Sequence, residues 1–103
     1  MILGLDISTS ITGYTLLDGD EIILNGAWDT RKYKDFFKKV VHVRDGLEII
    51  RKEYGTRITA VYIEQSLQSF RSGFSSAKTL STLSRFNGIV SWLVFDKYKI
   101  TPE

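Results

Sequence analysis

Two acidic residues, Asp6 and Glu64, each stand at or near the end of a short apolar run in the sequence. The runs ILGLDI (residues 2–7) and ITAVYIE (residues 58–64) are rich in aliphatic and β-branched residues, as buried strands are. Open α/β sheets bind ligands at the carboxyl ends of their strands. If the two strands are neighbours, the carboxylates converge, and a divalent cation such as Mg²⁺ relieves their repulsion. A single strand-end acid more often caps a loop or pairs with Lys or Arg, and that alternative stays open here.

The surrounding pattern predicts an α/β domain with a mixed sheet. The first run lacks polar alternation, which is typical of a strand covered on both faces. Residues 12–18 and 21–28 are two further strands, joined by the tight-turn sequence Asp18-Gly19-Asp20, so the first three strands form an antiparallel meander. The strand at 58–64 is expected to lie parallel to the first, and Ile100-Thr101-Pro102-Glu103 looks like the start of another strand.

Two helices connect and follow these strands. Between Lys32 and Tyr54 apolar residues recur at helical spacing, and Gly55 ends the pattern. Gly46, inside this helix, predicts a close approach to the sheet. His42 lies on the same helix and is interpreted as a surface or core-edge residue.

The second helix is expected to begin at Ser75 or Ser76 and to run to about Tyr98. It is apolar or small nearly all round, which is typical of a helix buried on more than one side. A stripe of small residues would let another helix approach closely, so we expect a homodimer interface there, at Ser84, Gly88 and Ser91. The alternative is a helix packed inside a longer chain.

Composition excludes several other classes of protein. The chain of 103 residues has no cysteine, so it can form neither a disulfide framework nor a thiolate metal site, and a cytoplasmic location is expected. Its N-terminus lacks the pattern of a signal peptide, and its most apolar stretch is too polar to span a membrane. Basic residues cluster at Arg31, Lys32, Lys34, Lys38 and Lys39, where the sequence fits either an extended phosphate ligand or a solvated helix face.

Three motifs in order carry a resemblance to a known family. DISTSITGY (residues 6–14), YIEQ (62–65) and SSAKTLSTLSRFNG (75–88) together resemble the RuvC family of Holliday junction resolvases, especially its phage-type members. The two acids stand about 58 residues apart, and the resemblance extends over essentially the whole chain. It implies a single ribonuclease H-like domain over residues 1–103 that lacks the C-terminal part of that fold.

The resemblance also implies an activity. Family members dimerise on a four-way DNA junction and cut two strands symmetrically with two Mg²⁺ ions held by four ligands. Asp6 matches the first catalytic and metal-binding carboxylate, and Glu64 matches the second. The third and fourth ligands lie on a helix past residue 103, and Asp96 stands too far along the second helix to replace them. We therefore expect these 103 residues alone to lack nuclease activity.

Several residues near the acids are expected to contact DNA. Ser8 and Ser10, in the turn after Asp6, either donate to a phosphate or only satisfy their own turn. The family has an aromatic residue where this chain has Leu67, and Phe70 or Phe74 in the same loop can take its place. Arg71 and Lys78 are candidates for phosphate contacts.

Two other functions remain open from the sequence. One is a module that binds branched DNA without cutting it. The other is a fragment of an actin-like ATPase or sugar kinase, since DISTS also resembles their first phosphate loop. The short chain holds neither the second loop nor the second lobe that those enzymes need.

Overall fold

A four-stranded mixed sheet forms one layer of the protein in a computed structural model, which describes residues 1–65 and 77–103. The strands β1 (Ile2–Ile7), β2 (Ile11–Asp18), β3 (Glu21–Asp29) and β4 (Ala60–Gln65) lie in the order β3-β2-β1-β4. The first three strands pair antiparallel, and β4 is parallel to β1. The predicted meander with one parallel strand is therefore confirmed.

Two helices form the other layer. Helix α1 spans Phe36–Tyr54 and is followed by a 3₁₀ turn at Gly55–Arg57. Helix α2 spans Ala77–Tyr98, and the predicted caps Ser75 and Ser76 lie outside the described residues.

The predicted start of the first helix at Lys32 was wrong by about one turn. Asp35 has extended backbone angles (φ −77°, ψ 128°), and its carboxylate accepts a hydrogen bond from the Lys38 backbone N–H at 3.0 Å. An N-cap of this kind satisfies a backbone donor that has no partner within the helix. The cap therefore fixes the first turn at Phe36.

Both helices pack on the same face of the sheet. The core that they enclose contains Leu3, Leu5, Ile7, Leu16, Trp28 and Val61 from the strands, Val43, Leu47 and Ile50 from α1, and Phe86, Val90, Leu93, Val94 and Tyr98 from α2. The helical periodicity between Lys32 and Tyr54 therefore identified the inward face of α1, whereas the sequence pattern did not single out one inward face of α2.

The opposite face of the sheet is not covered by any described residue. In β1 burial alternates, with Leu3, Leu5 and Ile7 buried while Ile2 and Asp6 are exposed. The expectation that this strand is covered on both faces was therefore wrong for the part of the chain that the structure describes. The sequence of β1 shows no alternation of apolar and polar residues because Ile2 and Gly4 occupy outward positions where polar residues are usual.

Gly46 lies where α1 crosses Trp28 of β3, as its place in the sequence predicted. A Cβ atom at this position would overlap the Trp28 indole ring. The Tyr14 ring stacks on the indole, with ring centroids 4.6 Å apart. The glycine therefore sets the distance between α1 and the sheet.

Polar contacts join the C-terminal halves of the two helices. The Tyr98 hydroxyl donates to the Leu47 carbonyl at 2.6 Å, and burial raises the pKa of this phenol. Glu48 accepts hydrogen bonds from Arg51 and from Lys97, which together lower its pKa to about 2. The contacts of Leu47 and Glu48 with Tyr98 and Lys97 tie the C-terminal half of α1 to the C-terminal end of α2.

The residues after α2 return to the sheet beside β4. The Glu103 N–H donates to the Val61 carbonyl at 2.9 Å, and the Ile63 N–H donates to the Glu103 carbonyl at 2.7 Å. This is the bonding pattern of neighbouring parallel strands. It agrees with the prediction that another strand begins near residue 100.

Neither described helix combines the length and the apolar composition that crossing a lipid bilayer requires.

Candidate functional site at the carboxyl edge of the sheet

Asp6 and Glu64 are direct neighbours across the β1–β4 pair. Their Cα atoms are register partners in the parallel ladder, one residue before each strand ends. Paired residues project from the same side of a sheet, and neighbouring strands lie about 4.8 Å apart. Both residues are exposed on the face that no described helix covers. The structure therefore brings the two predicted carboxylates together at a site that is exposed to solvent in the described part of the chain.

The space around Asp6 is kept clear by glycine. Gly13 is the register partner of Asp6 on its other side, and a Cβ atom there would lie 3.8 Å from the Asp6 Cβ. Gly4 precedes Asp6 on the same face. A shallow cavity of about 630 Å³ extends over this floor and is lined by both acids and by Tyr62. A ligand can therefore approach the sheet backbone closely beside the carboxylates.

Tyr62 and Glu103 border the same cavity. Tyr62 pairs with Gly4, one step along the sheet from the acids, and its side chain is 48% exposed. The Glu103 carboxylate raises the pKa of the Tyr62 phenol, first by accepting its hydrogen bond and second through its negative charge. Tyr62 and Glu103 therefore interact at the border of the cavity.

The two acids form no ion pair within residues 1–65 and 77–103. Pairing with a lysine or arginine, the structural alternative for strand-end acids, is therefore not seen in this part of the chain. The same residues contain no group of three or more His, Cys, Asp or Glu side chains that could hold a metal ion. Two exposed carboxylates are hard oxygen donors, and Mg²⁺ is commonly bound by one or two carboxylates together with water and phosphate oxygens. The pair therefore fits one such ion.

The turn after β1 is held by side-chain hydrogen bonds. Ser8 Oγ accepts from the Ser10 N–H at 3.2 Å, so at least one interaction of Ser8 is internal to the turn. The buried Thr12 hydroxyl donates to the Ser8 carbonyl at 2.9 Å and accepts from the Ser8 N–H at 3.3 Å. Ser10 is exposed, and its side chain can reach a ligand. The turn is thus fixed next to Asp6 from the side of β2.

A second set of contacts fixes the turn from the side of α1, and sequence reasoning missed it. The buried Thr30 hydroxyl lies 2.8 Å from the Thr9 carbonyl and 3.0 Å from the Ser10 carbonyl. Lys39 Nζ donates to the carbonyls of Thr9 at 2.9 Å and of Thr30 at 3.0 Å. The contacts of Thr12, in contrast, had one signal in the sequence. Thr12 is a polar residue that alternates in step with the apolar Leu16 on the inward side of β2.

Lys39→Met is expected to lower the free energy of unfolding by about 2 kcal/mol, because it leaves two carbonyls at the turn without their charged donor. Lys38→Met is the matched control, since the exposed Lys38 side chain makes no such contact, and a change within about 0.5 kcal/mol is expected. Urea denaturation of both variants measures the difference. Equal stability of the two variants would contradict a clamping role for Lys39.

The remaining residues expected to contact DNA are only partly described. Lys78 is exposed in the first turn of α2. Phe70, Arg71 and Phe74 lie outside the described residues, as does Leu67. The candidate contacts within the described part are therefore Ser8, Ser10 and Lys78.

The residues expected at a dimer interface lie on the outer side of α2. Ser84 and Gly88 are exposed, Ser91 is half-buried, and a Cβ atom at Gly88 would meet no other atom within 4 Å. Asp96 lies at the far end of α2, with its carboxylate 3.7 Å from Lys99. The structure thus agrees with the expectation that Asp96 is not part of the carboxylate site.

The chain was compared with protein-family models, with curated proteins and with solved structures, and none of the three comparisons gave a match.

Proposed function

We propose that the chain is a ribonuclease H-like domain of a RuvC-like Holliday junction endonuclease, and that Asp6 and Glu64 are two of its metal ligands. The observation that carries this proposal is the in-register pairing of the two acids on β1 and β4. Two of the three motifs support it, because they lie at the strand ends that carry the acids. DISTSITGY spans the end of β1 and the start of β2, and YIEQ ends β4.

The chemistry proposed for the site is hydrolysis of a DNA phosphodiester. A bound Mg²⁺ ion would supply positive charge to the phosphate in the transition state. Asp6 and Glu64 would hold this ion at the sheet edge. Gly13 and Gly4 would leave room for the sugar-phosphate backbone to reach it. The turn at residues 8–10, fixed by Thr12, Thr30 and Lys39, would bound the site on one side.

Two carboxylates are half of the ligand set that the resemblance implies. We therefore expect the 103-residue chain by itself to bind four-way junctions and not to cut them. Binding without cutting is also what a non-catalytic branched-DNA module would do. The two functions differ in whether further ligands, supplied by additional residues of a longer protein, restore cleavage.

Gel-shift titration of a four-way junction against a linear duplex of the same sequence, with and without Mg²⁺, tests the proposal. Tighter binding of the junction is expected. Equal affinity for the two DNAs would contradict the resolvase function. Binding of ATP with no affinity for either DNA would instead favour the actin-like ATPase or sugar kinase fragment.

A homodimer through the outer face of α2 belongs to the same proposal. Three large apolar residues of the two helices are exposed, Trp92 at 59% and Phe95 at 50% on α2 and Phe37 at 66% on α1. Phe37, Arg85, Gly88 and Trp92 line a groove of about 550 Å³. Contiguous exposed apolar surface of this kind is typical of an interaction site.

In this proposal the partner that fills the groove is a second copy of the chain. Trp92 stands one helical turn from Gly88, so a two-fold axis between them would place the indole of each copy in the gap of the other. Arg85 and Asp96 flank the Gly88–Trp92 pair on opposite sides. The same axis would therefore bring Arg85 of one copy near Asp96 of the other copy. An antiparallel pair of α2 helices therefore joins opposite charges, whereas a parallel pair would oppose like charges.

Light scattering over a range of protein concentrations tests the dimer. Trp92→Ala is expected to shift the chain toward monomer, whereas Ile49→Ala is the control because Ile49 is 68% exposed on α1. A monomer at high concentration of the unaltered chain would refute this interface.

A further inference from the structure

The segment that leads into α1 carries three basic side chains without an ion-pair partner. Five of the 14 Lys and Arg residues of the chain lie between positions 31 and 39. Arg31 is paired with Asp29 at 2.7 Å, and the amino group of Lys39 is bound to backbone carbonyls. Lys32, Lys34 and Lys38 are exposed, and in the described ranges 1–65 and 77–103 none of them pairs with a carboxylate.

The single acid within this segment does not neutralise the three lysines. Asp35 caps α1, and its carboxylate accepts the Lys38 backbone N–H at 3.0 Å. Its negative charge is therefore opposed by the positive end of the helix dipole. Positive charge thus dominates the surface formed by Lys32, Lys34 and Lys38, which we call the α1-entry surface.

Aromatic rings lie between these cations. The Lys32 ammonium group lies 5.1 Å from the centroid of the Tyr33 ring, and the His42 ring packs against Tyr33 at 5.6 Å. The Tyr33 N–H donates to the Thr30 carbonyl at 3.0 Å, so this part of the segment has a defined turn. A cluster of exposed basic side chains on one surface is the electrostatic footprint of a nucleic-acid-binding protein.

The α1-entry surface adjoins the carboxylate site through the turn after β1. The Thr30 N–H donates to the Ser10 carbonyl at 2.8 Å, and Lys39 bridges from α1 to Thr9. This turn begins two residues after Asp6. Because α1 packs on the opposite face of the sheet, a DNA strand with one phosphate at the Asp6–Glu64 pair would pass around this edge of the sheet to reach Lys32, Lys34 and Lys38.

We propose that the α1-entry surface binds the phosphate backbone of a DNA arm that leaves the Asp6–Glu64 site. The inference rests on the proposed function, since it takes DNA as the ligand, and it adds a binding surface of three lysines outside the motifs of the resemblance. Contacts to phosphate position DNA without reading its sequence. The three lysines together are therefore expected to raise the affinity for branched DNA and the affinity for linear DNA by the same factor.

A pair of triple variants with equal loss of charge tests the inference. Lys32→Gln, Lys34→Gln and Lys38→Gln together remove the α1-entry surface. Lys52→Gln, Arg57→Gln and Lys99→Gln together remove the same charge from the C-terminal ends of α1 and α2. All six side chains are exposed, so both triple variants are expected to fold, which circular dichroism checks.

The readout is the slope of the logarithm of the binding constant against the logarithm of KCl concentration, for a four-way junction and for a linear duplex. Each lost phosphate contact reduces the steepness of this slope by roughly 0.7 to 0.9. The α1-entry variant is therefore expected to lose about 2 to 3 from the slope on both DNAs, and the control variant much less.

Equal slopes for the two triple variants would overturn the inference. Poly-glutamate that binds more tightly than DNA and depends on the same lysines would also overturn it, by assigning the surface to an acidic protein. Loss of the preference for junctions over duplex, with the slope difference retained, would contradict the proposed function and leave the surface assigned to DNA. Absence of DNA binding by the unaltered chain would overturn both.

Discussion

Phe86→Ala is expected to lower the free energy of unfolding by about 3 to 5 kcal/mol. Phe86 of α2 is fully buried, and its ring meets the edge of the Phe36 ring of α1 with centroids 5.7 Å apart. Its truncation removes apolar burial and leaves a cavity between both helices and the sheet. Small domains have total stabilities of about 5 to 15 kcal/mol, so this single change can remove most of the margin.

Phe37→Ala is the matched control for this measurement. Phe37 is 66% exposed and adjoins Phe36 in the first turn of α1, so the same atoms are removed without a buried cavity. A loss within about 0.5 kcal/mol is expected for the monomeric chain in urea denaturation. Comparable losses for the two variants would contradict the core described for α2.

Asp6→Asn and Glu64→Gln are each expected to weaken divalent-cation binding by roughly 30-fold. A unit negative charge about 4 Å from a divalent ion contributes about 2 kcal/mol in water, which corresponds to that factor. Mn²⁺ titration followed by electron paramagnetic resonance measures the affinity directly. The double variant is expected to bind Mn²⁺ no more tightly than the other surface carboxylates do.

Asp18→Asn provides a control of similar geometry. Asp18 faces Glu21 across the β2–β3 hairpin, so it also belongs to a cross-strand pair of acids, at the turn between those strands. Its replacement is expected to leave Mn²⁺ affinity unchanged, because the floor of Gly13 and Gly4 is absent there. Equal effects of Asp6→Asn and Asp18→Asn would show that the chain binds cations only through its general negative charge.

The spacing of apolar residues predicted the helices and strands of this fold, because each element buries one face and that burial sets the spacing. The helical spacing from Phe36 to Tyr54 is confirmed, and so is the packing of Gly46 against the sheet. Parallel pairing of β1 with β4 followed from two apolar runs separated by a helix, since such connections favour neighbouring parallel strands. The proximity of Asp6 and Glu64 could therefore be predicted from the sequence alone.

The features that were missed depend on contacts between distant residues. Lys39 reads as one more cation in a basic stretch, and only the tertiary structure places its amino group on the Thr9 and Thr30 carbonyls. The open face of β1 was missed for a related reason. Ile2 is apolar and yet 40% exposed, so the composition of the strand does not reveal which side is covered.

The parallel pairing of β1 and β4 also has a consequence for the order of folding. The β1–β2 and β2–β3 pairs join strands that are adjacent in sequence, and such local pairs close with little loss of chain entropy. The β1–β4 pair joins residues about 58 positions apart in the sequence, so it has the highest contact order among the strand pairs and is expected to form after them. Asp6 and Glu64 therefore meet late in folding, and a cation that binds them would stabilise the native state while leaving the early meander unaffected.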